Sequence, residues 1–307
     1  MKIHIDGVNF LSNSGPNSFG QRFARKLIET GHDVNVESGS DSDVSLVFIE
    51  PSGRPLAEKI VQRLDGIWFR PNEFETKNVN IKDLYDHADA IVWQSDFDRC
   101  MTYRWWGDRK GRIIHNGIDT QPVKISNGDL LSLRSKYETI FVCSSNWHPQ
   151  KRLRTNIELF FHLMQNGYPN SCLIVMGANP DCQVANPHVF YTGSLPHDLC
   201  LEVYRVADWM IHLAWLDHCP NVVVEALSQE TPVICTDSGG TQEIVHQFGV
   251  VLSEQETYEY DLVDYDKPPT LNFSGLKLPD RKSLGRHFDI SMDRVVRSYL
   301  ELFEEII

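Results

Sequence analysis

Short apolar runs rich in Val, Ile and Phe alternate along this chain with longer segments in which apolar residues return every three or four positions. That alternation predicts βαβ units and a parallel sheet. MKIHI reads as a first strand leading to SFGQRFARKLIETGH, where Phe19, Phe23, Leu27 and Ile28 make one helical face and Gly31 stands where a helix would stop. DVNVE (33–37), VSLVFIE (44–50), DGIWF (65–69) and DAIVWQ (89–94) follow as expected strands. Ser95 with Asp98 makes a capping-box pattern ahead of a helix through CMTYRWW. After RIIHNGID (112–119), the polar stretch TQPVKISNGD has Pro, Gly and Asn but no apolar period, and reads as a linker.

A second alternating series begins with the strand TIFVC (139–143) and a helix from about Pro149 to Asn166. It continues through strands CLIVM and HVFYTG, a helix over PHDLCLEVYRVA, the strand WMIHL, a helix over NVVVEALSQ, the strand PVICT and a helix from Gly240. Region 251–282 periodises poorly, and the terminal SMDRVVRSYLELFEEII reads as a helix capped by Ser291. Two such series predict two doubly wound domains facing each other across a cleft: residues 1–122, with helix 290–307 packing back on them, and residues 123–289.

The net charge of −13 speaks against nucleic acid as the main partner, because binding many phosphates needs a basic surface. Any phosphate must therefore be held locally. The longest apolar runs fall far short of the roughly 20 residues that cross a bilayer. The N-terminus lacks the apolar core of a signal peptide, so a cytoplasmic location is expected. The seven cysteines are scattered without a C-x-x-C pair, which fits free thiols in a reducing compartment and speaks against zinc.

Three stretches carry candidate chemistry. GPNSFGQR, from Gly15 to Gly20 and on to Arg22, lies between the first strand and its helix, as a phosphate loop or a plain turn would. Gln21 and Arg22 stand where a P-loop needs Lys and Ser or Thr, and the pattern is not G-x-G-x-x-G. Phosphoryl transfer from ATP and a nicotinamide cofactor thus lose support. NWHPQKRLRTN (146–156) sets Lys151, Arg152 and Arg154 just past the strand TIFVC, a place where open α/β sheets bind ligands. Lys151 is the candidate clamp, whereas Arg154 fits a solvated face. LDHCPNVVVEALSQETPVICTDSGGTQEIV (216–245) puts Asp217 in a loop, Asn221 at a helix N-cap and Glu225 one turn in, with both carboxylates aimed at one cleft. Carboxylates accept from hydroxyl pairs, as a sugar and a ribose offer, and Gly239 and Gly240 would expose N–H groups at the next helix start. The bland alternative for Glu225 is a helix-start carboxylate worth about 0.3–1 kcal/mol.

Taken in order, these motifs resemble the retaining, sugar-nucleotide-dependent glycosyltransferases of family 4, in the glycogen-synthase-like "glycosyl transferases group 1" superfamily. GPNSFGQRFARKLIETGHDV, HNGID, PQK, DHCPNVVVE and GGTQE carry the resemblance. It implies the GT-B fold of two facing Rossmann-like domains, with Asp217, Glu225 and Lys151 as the catalytic set. Lys151 would contact the donor diphosphate and Glu225 the ribose hydroxyls. Gly239 and Gly240 would face phosphate or sugar, Gly20 would lie in a loop near the diphosphate, and the backbone around Asn221 and Val222 would contact the donor. Three departures stand out. Asp217 replaces a glutamate. Asn146 replaces an arginine, leaving Arg152 to supply a second positive charge. The first domain's usual histidine has no match, and Arg70 and Glu73 stand at about its place.

The implied reaction moves a sugar from a UDP- or GDP-type donor to a hydroxyl of a sugar, glycan or other acceptor, with retention and without metal. No cofactor beyond the nucleotide-sugar co-substrate is implied. A sugar-nucleotide epimerase of the same fold, or a non-catalytic nucleotide-sugar-binding protein, stands as the alternative.

Overall fold

The computed structural model describes residues 1–12, 15–119 and 121–307. Its first part runs β1 (Lys2–Asp6), α1 (Gly15–Glu29), β2 (Asp33–Asn35), β3 (Val44–Phe48), β4 (Ile60–Leu64), α2 (Phe74–Lys77), α3 (Val79–His87), β5 (Ala90–Trp93), α4 (Asp96–Trp106) and β6 (Gly111–Ile113). The second runs α5 (Gly128–Lys136), β7 (Thr139–Ser144), α6 (Leu153–Gln165), β8 (Ser171–Met176), β9 (Val189–Gly193), α7 (His197–Val206), β10 (Trp209–His212), α8 (Asn221–Ser228), β11 (Val233–Thr236), α9 (Thr241–Val245), β12 (Gly249–Leu252) and α10 (Met292–Glu304). Among the described residues these strands form two six-stranded parallel sheets, ordered β2-β1-β3-β4-β5-β6 and β12-β11-β10-β7-β8-β9. Strands β3 and β8 are buried along their whole length, which is why they read as continuous apolar runs.

Two segments tie the units together. Helix α10 returns to the first unit, where Met292, Val295, Val296, Tyr299, Leu302 and Phe303 join Ile3, Phe19, Phe23 and Leu27 in one core. At roughly 1.5–3 kcal/mol per buried side chain, those six contribute on the order of 10 kcal/mol before chain entropy is counted. Ser291 caps the helix, accepting from the N–H of Arg294. The irregular segment after β12 crosses the first unit too, packing Tyr258, Tyr260 and Tyr265 with Phe69, Phe97, Trp215 and Leu216.

Several expectations are corrected. DGIWF is not a strand: the fourth strand is IVQRL, whose polar Gln62 and Arg63 are nevertheless buried. Gln62 donates to the carbonyls of Ile49 and Ile81, and Arg63 lies over the rings of Phe19 and Phe48. Gly15–Gly20 is not a loop but the opening of α1, and Ile28 points to solvent while Phe19, Phe23 and Leu27 are buried. The helix expected from Pro149 is a short 3-10 turn at Pro149–Lys151, then Arg152 at φ +53°, then α6. Helix α5 and strand β12 had no counterpart in the apolar pattern. Pro220, not Asn221, occupies the N-cap of α8.

Candidate active site

The order of the second sheet reverses between β10 and β7. Ligands of open α/β sheets sit outside the carboxyl ends of strands at such a point. A cleft of about 320 Å³ opens there, between Ser145, Asn146, His148, Lys151, His212 and Asp217–Val222 on one side and Gly15, Pro16, Asp65, Gln94 and Asn116 on the other. Asn146, Lys151, Asp217, Asn221 and Val222 thus meet around one space.

Local geometry explains how. Trp147 anchors the loop after β7, its indole donating to the carbonyl of Met176 and its backbone N–H to that of Ala178. The turn that follows delivers the Lys151 ammonium to Asp217 Oδ2 at 2.5 Å. His212, at the end of β10, places Nε2 at 3.3 Å from the same oxygen. Burial alone would push the Asp217 carboxyl up, but Lys151 and His212 outweigh it and hold the group well below the usual carboxylate range. Burial pulls His212 down despite Asp217, so its imidazole is neutral at pH 7. An ionised carboxylate only accepts, which requires the His212 proton to sit on Nε2.

At the start of α8, the N–H groups of Val223 and Val224 bond back to the Pro220 carbonyl. Those of Asn221 and Val222 have no intrahelical acceptor and adjoin the cleft. The Asn221 side chain does not cap the helix but joins the units. Its Nδ2 donates to the Gly15 carbonyl at 2.7 Å, and its Oδ1 accepts from Asn116 at 3.1 Å and from Arg22 at 3.4 Å.

The remaining candidates lie elsewhere. Glu225 sits behind the cleft, its Oε1 3.6 Å from Arg22 Nη1 and 3.4 Å from His197 Nε2. Arg152 is buried and bidentate to Glu254, at 2.7 and 3.0 Å, with further bonds to the carbonyls of Leu213 and Pro269. It is therefore not free to replace the arginine that Asn146 displaces. Gly20 is buried inside α1, where an added Cβ would strike Val8 at 2.7 Å. It offers close packing and not a flexible anion loop.

The Gly pair has a steric reason too. A Cβ on Gly239 would come within 2.5 Å of the Asp217 carbonyl oxygen, and one on Gly240 within 2.0 Å of that of His218. The Gly240 N–H already donates to Asp217 O at 2.8 Å, so it is not exposed for an anion. Gly239 faces another cavity, of about 430 Å³, with Ser238, Glu243 and Tyr258. Glu243 of the GGTQE motif accepts from the first N–H groups of α4, at Asp96 and Phe97, and from His115 Nε2, bracing one unit on the other. Arg70 and Glu73 are engaged at the surface with Asp266 and Lys77.

Sequence reasoning missed Asp65, Gln94, Asn116, His148, His212 and His218 as cleft residues. His218 adjoins Asp217 and Asn116 lies within HNGID, so only those two carried a signal. A larger cavity of about 830 Å³ opens at the amino ends of β7 and β10, beside Thr139 and Trp209. Its Asp208 is already paired with Arg134 and Arg281, and none of the motif residues reaches it.

Among solved structures the chain is similar to a glycosyltransferase from Rickettsia africae, at TM-score 0.64 and 15% identity, covering 99% of this chain and 98% of that one. A sucrose-phosphate synthase from Thermosynechococcus elongatus aligns at TM-score 0.64 and 14% identity over 83% of this chain and 86% of that one. The Anabaena protein HepE in complex with UDP-glucose aligns at TM-score 0.60 and 17% identity over 83% and 86%. A search of curated proteins found no match. The two facing sheets are those of the GT-B fold. Residues 132–259, which supply Lys151, Asp217 and the start of α8, match the family model described as glycosyl transferases group 1, and this region of the chain belongs to that family.

Proposed function

We propose that the cleft binds a nucleoside-diphosphate sugar and transfers the sugar to an acceptor hydroxyl, with retention at the anomeric carbon, as the resemblance to family 4 implies. The observation that carries this reading is the meeting of Lys151 and Asp217 with two unbonded helix N–H groups, at the strand-order reversal of the family-matched region. Negative charge grows on the leaving diphosphate, and an ammonium with a helix N-terminus, aimed into a cleft that excludes water, is the arrangement that stabilises it. Lys151 exchanges Asp217 for the phosphate, while Asp217, released, accepts from hydroxyls of the transferred sugar. Glu225 serves the ribose hydroxyls once the two units part and Arg22 withdraws. These protein groups do the work without a metal, and we place the enzyme in the cytoplasm. No helix is long and apolar enough to cross a membrane among the described residues.

Lys151→Ala and Glu225→Ala are expected to abolish transfer while preserving the far-UV spectrum and the cooperative melt. Transfer that survives both substitutions would sink the assignment. An epimerase would convert the donor with no acceptor present, so product analysis with and without acceptor separates the two.

A further inference from the structure

A buried acid–imidazole pair beside the cleft has no part in the scheme above. Asp98 on α4 is fully buried, and His218 Nδ1 lies 3.0 Å from its Oδ1. The rings of Phe97 and Phe69, with centroids at 5.4 and 6.2 Å, fix the imidazole plane. His218 Nε2 faces Gly66, where a Cβ would approach to 2.4 Å, so the backbone there must be bare. Among the described residues Nε2 has no hydrogen-bond partner.

His218 stands between two spaces. With Asp65 and Asp217 it lines both the 320 Å³ cleft and a side cavity of about 220 Å³ walled by Ile67, Trp68, Phe69, Trp215 and Tyr265. Aromatic walls suit the apolar face of a sugar ring, and the carboxylates at the mouth suit its hydroxyls.

We propose that the side cavity seats a sugar-ring acceptor and that His218, oriented by Asp98, is the general base for its attacking hydroxyl. This rests on the reading of the cleft as a donor site. In the step, the acceptor O–H proton passes to His218 Nε2 and the acceptor oxygen bonds to the anomeric carbon. The bond from that carbon to the diphosphate oxygen breaks, and its electron pair leaves with the nucleoside diphosphate beside Lys151. A buried carboxylate fixing one imidazole nitrogen while the other stays open is the arrangement such a base needs.

The base must be neutral to act, so transfer should rise with pH through the His218 ionisation. Charged or titratable groups reach the ring from each side: Asp98 from α4, Asp217 from its own loop, Lys151 from the turn after β7 and Asp65 across the mouth. Burial pulls the imidazole down, but Asp98 outweighs it and sets the ionisation above that of a free histidine. Asp98→Asn removes the main upward influence and should move the rising limb to lower pH.

The test measures kcat against pH for wild type, His218→Gln and Asp98→Asn, with nucleoside-diphosphate affinity measured alongside. His218→Gln is expected to lose about 10²–10⁴-fold in kcat, with affinity unchanged, because that is what a positioned base contributes. An unchanged rate in His218→Gln, an unmoved limb in Asp98→Asn, or a wild-type limb that falls with pH would overturn the proposal while leaving the donor site standing. Should His218→Gln not fold, the wild-type and Asp98→Asn limbs decide alone. Absence of both nucleotide binding and transfer in the wild type would overturn the donor-site reading and this inference with it.

Discussion

Removing the Lys151 ammonium should cost stability through the carboxylate it leaves behind. The Lys151 and Asp217 side chains are 18% and 12% exposed and meet at 2.5 Å. Breaking a mostly buried pair by deleting one partner costs about 3–5 kcal/mol, much of it the penalty on the stranded charge. His212 Nε2 remains 3.3 Å from Asp217 Oδ2 as a second donor, which puts Lys151→Ala near the low end, about 3 kcal/mol. In Lys151→Ala with Asp217→Asn the charge is gone, and a residual cost on the order of 1 kcal/mol should remain. Urea titrations at pH 7 of the two single variants and the double variant read this as a coupling energy. The sign with pH follows from the depressed Asp217 ionisation. Its contribution is present above the unfolded carboxyl value near 3.9 and fades as pH falls below it, so the gap between wild type and Lys151→Ala should narrow there. Additive losses, with the double variant less stable than either single one, would refute the reasoning.

Arg152→Ala should cost about 3–5 kcal/mol in urea titrations by stranding Glu254, whereas Arg154→Ala, on the exposed face, should change stability by less than about 0.5 kcal/mol. Gly240→Ala should lower the melting temperature and reduce nucleotide binding together, because a Cβ would push the 239–240 backbone off the Asp217–His218 loop. A nucleoside diphosphate at a hundredfold excess over its dissociation constant should stabilise the wild type by about 2.7 kcal/mol in a thermal-shift experiment, and this gain should vanish in Glu225→Ala.

The alternation of apolar runs made the two sheets legible, since parallel strands buried on both faces leave few polar positions. Ser95 and Ser291 were legible as caps because capping is a local event: the Asp98 N–H donates to Ser95 Oγ at 3.2 Å. What stayed hidden depends on partners distant in the chain. Arg152 follows Lys151 directly, yet Glu254, about a hundred residues on, turns it inward. Asn221 has the look of a cap, but Gly15, Arg22 and Asn116 of the other unit claim its side chain. Strand β4 was overlooked because Gln62 and Arg63 break its apolar run, and only the folded chain supplies the carbonyls, carboxylate and rings that make their burial tolerable. The Gly pair was read as an anion loop, and the structure instead shows backbone closing on backbone.

The central claim is sugar transfer in the cleft between the two units. Its most direct test incubates the wild type and Lys151→Ala with nucleoside-diphosphate sugars and a panel of sugar acceptors, measuring released nucleoside diphosphate and the anomeric configuration of any new glycoside. The account predicts equal amounts of nucleoside diphosphate and glycoside from the wild type, with the donor's configuration kept, and neither from Lys151→Ala. Nucleotide sugars that bind but are never turned over, or an inverted product, would contradict it.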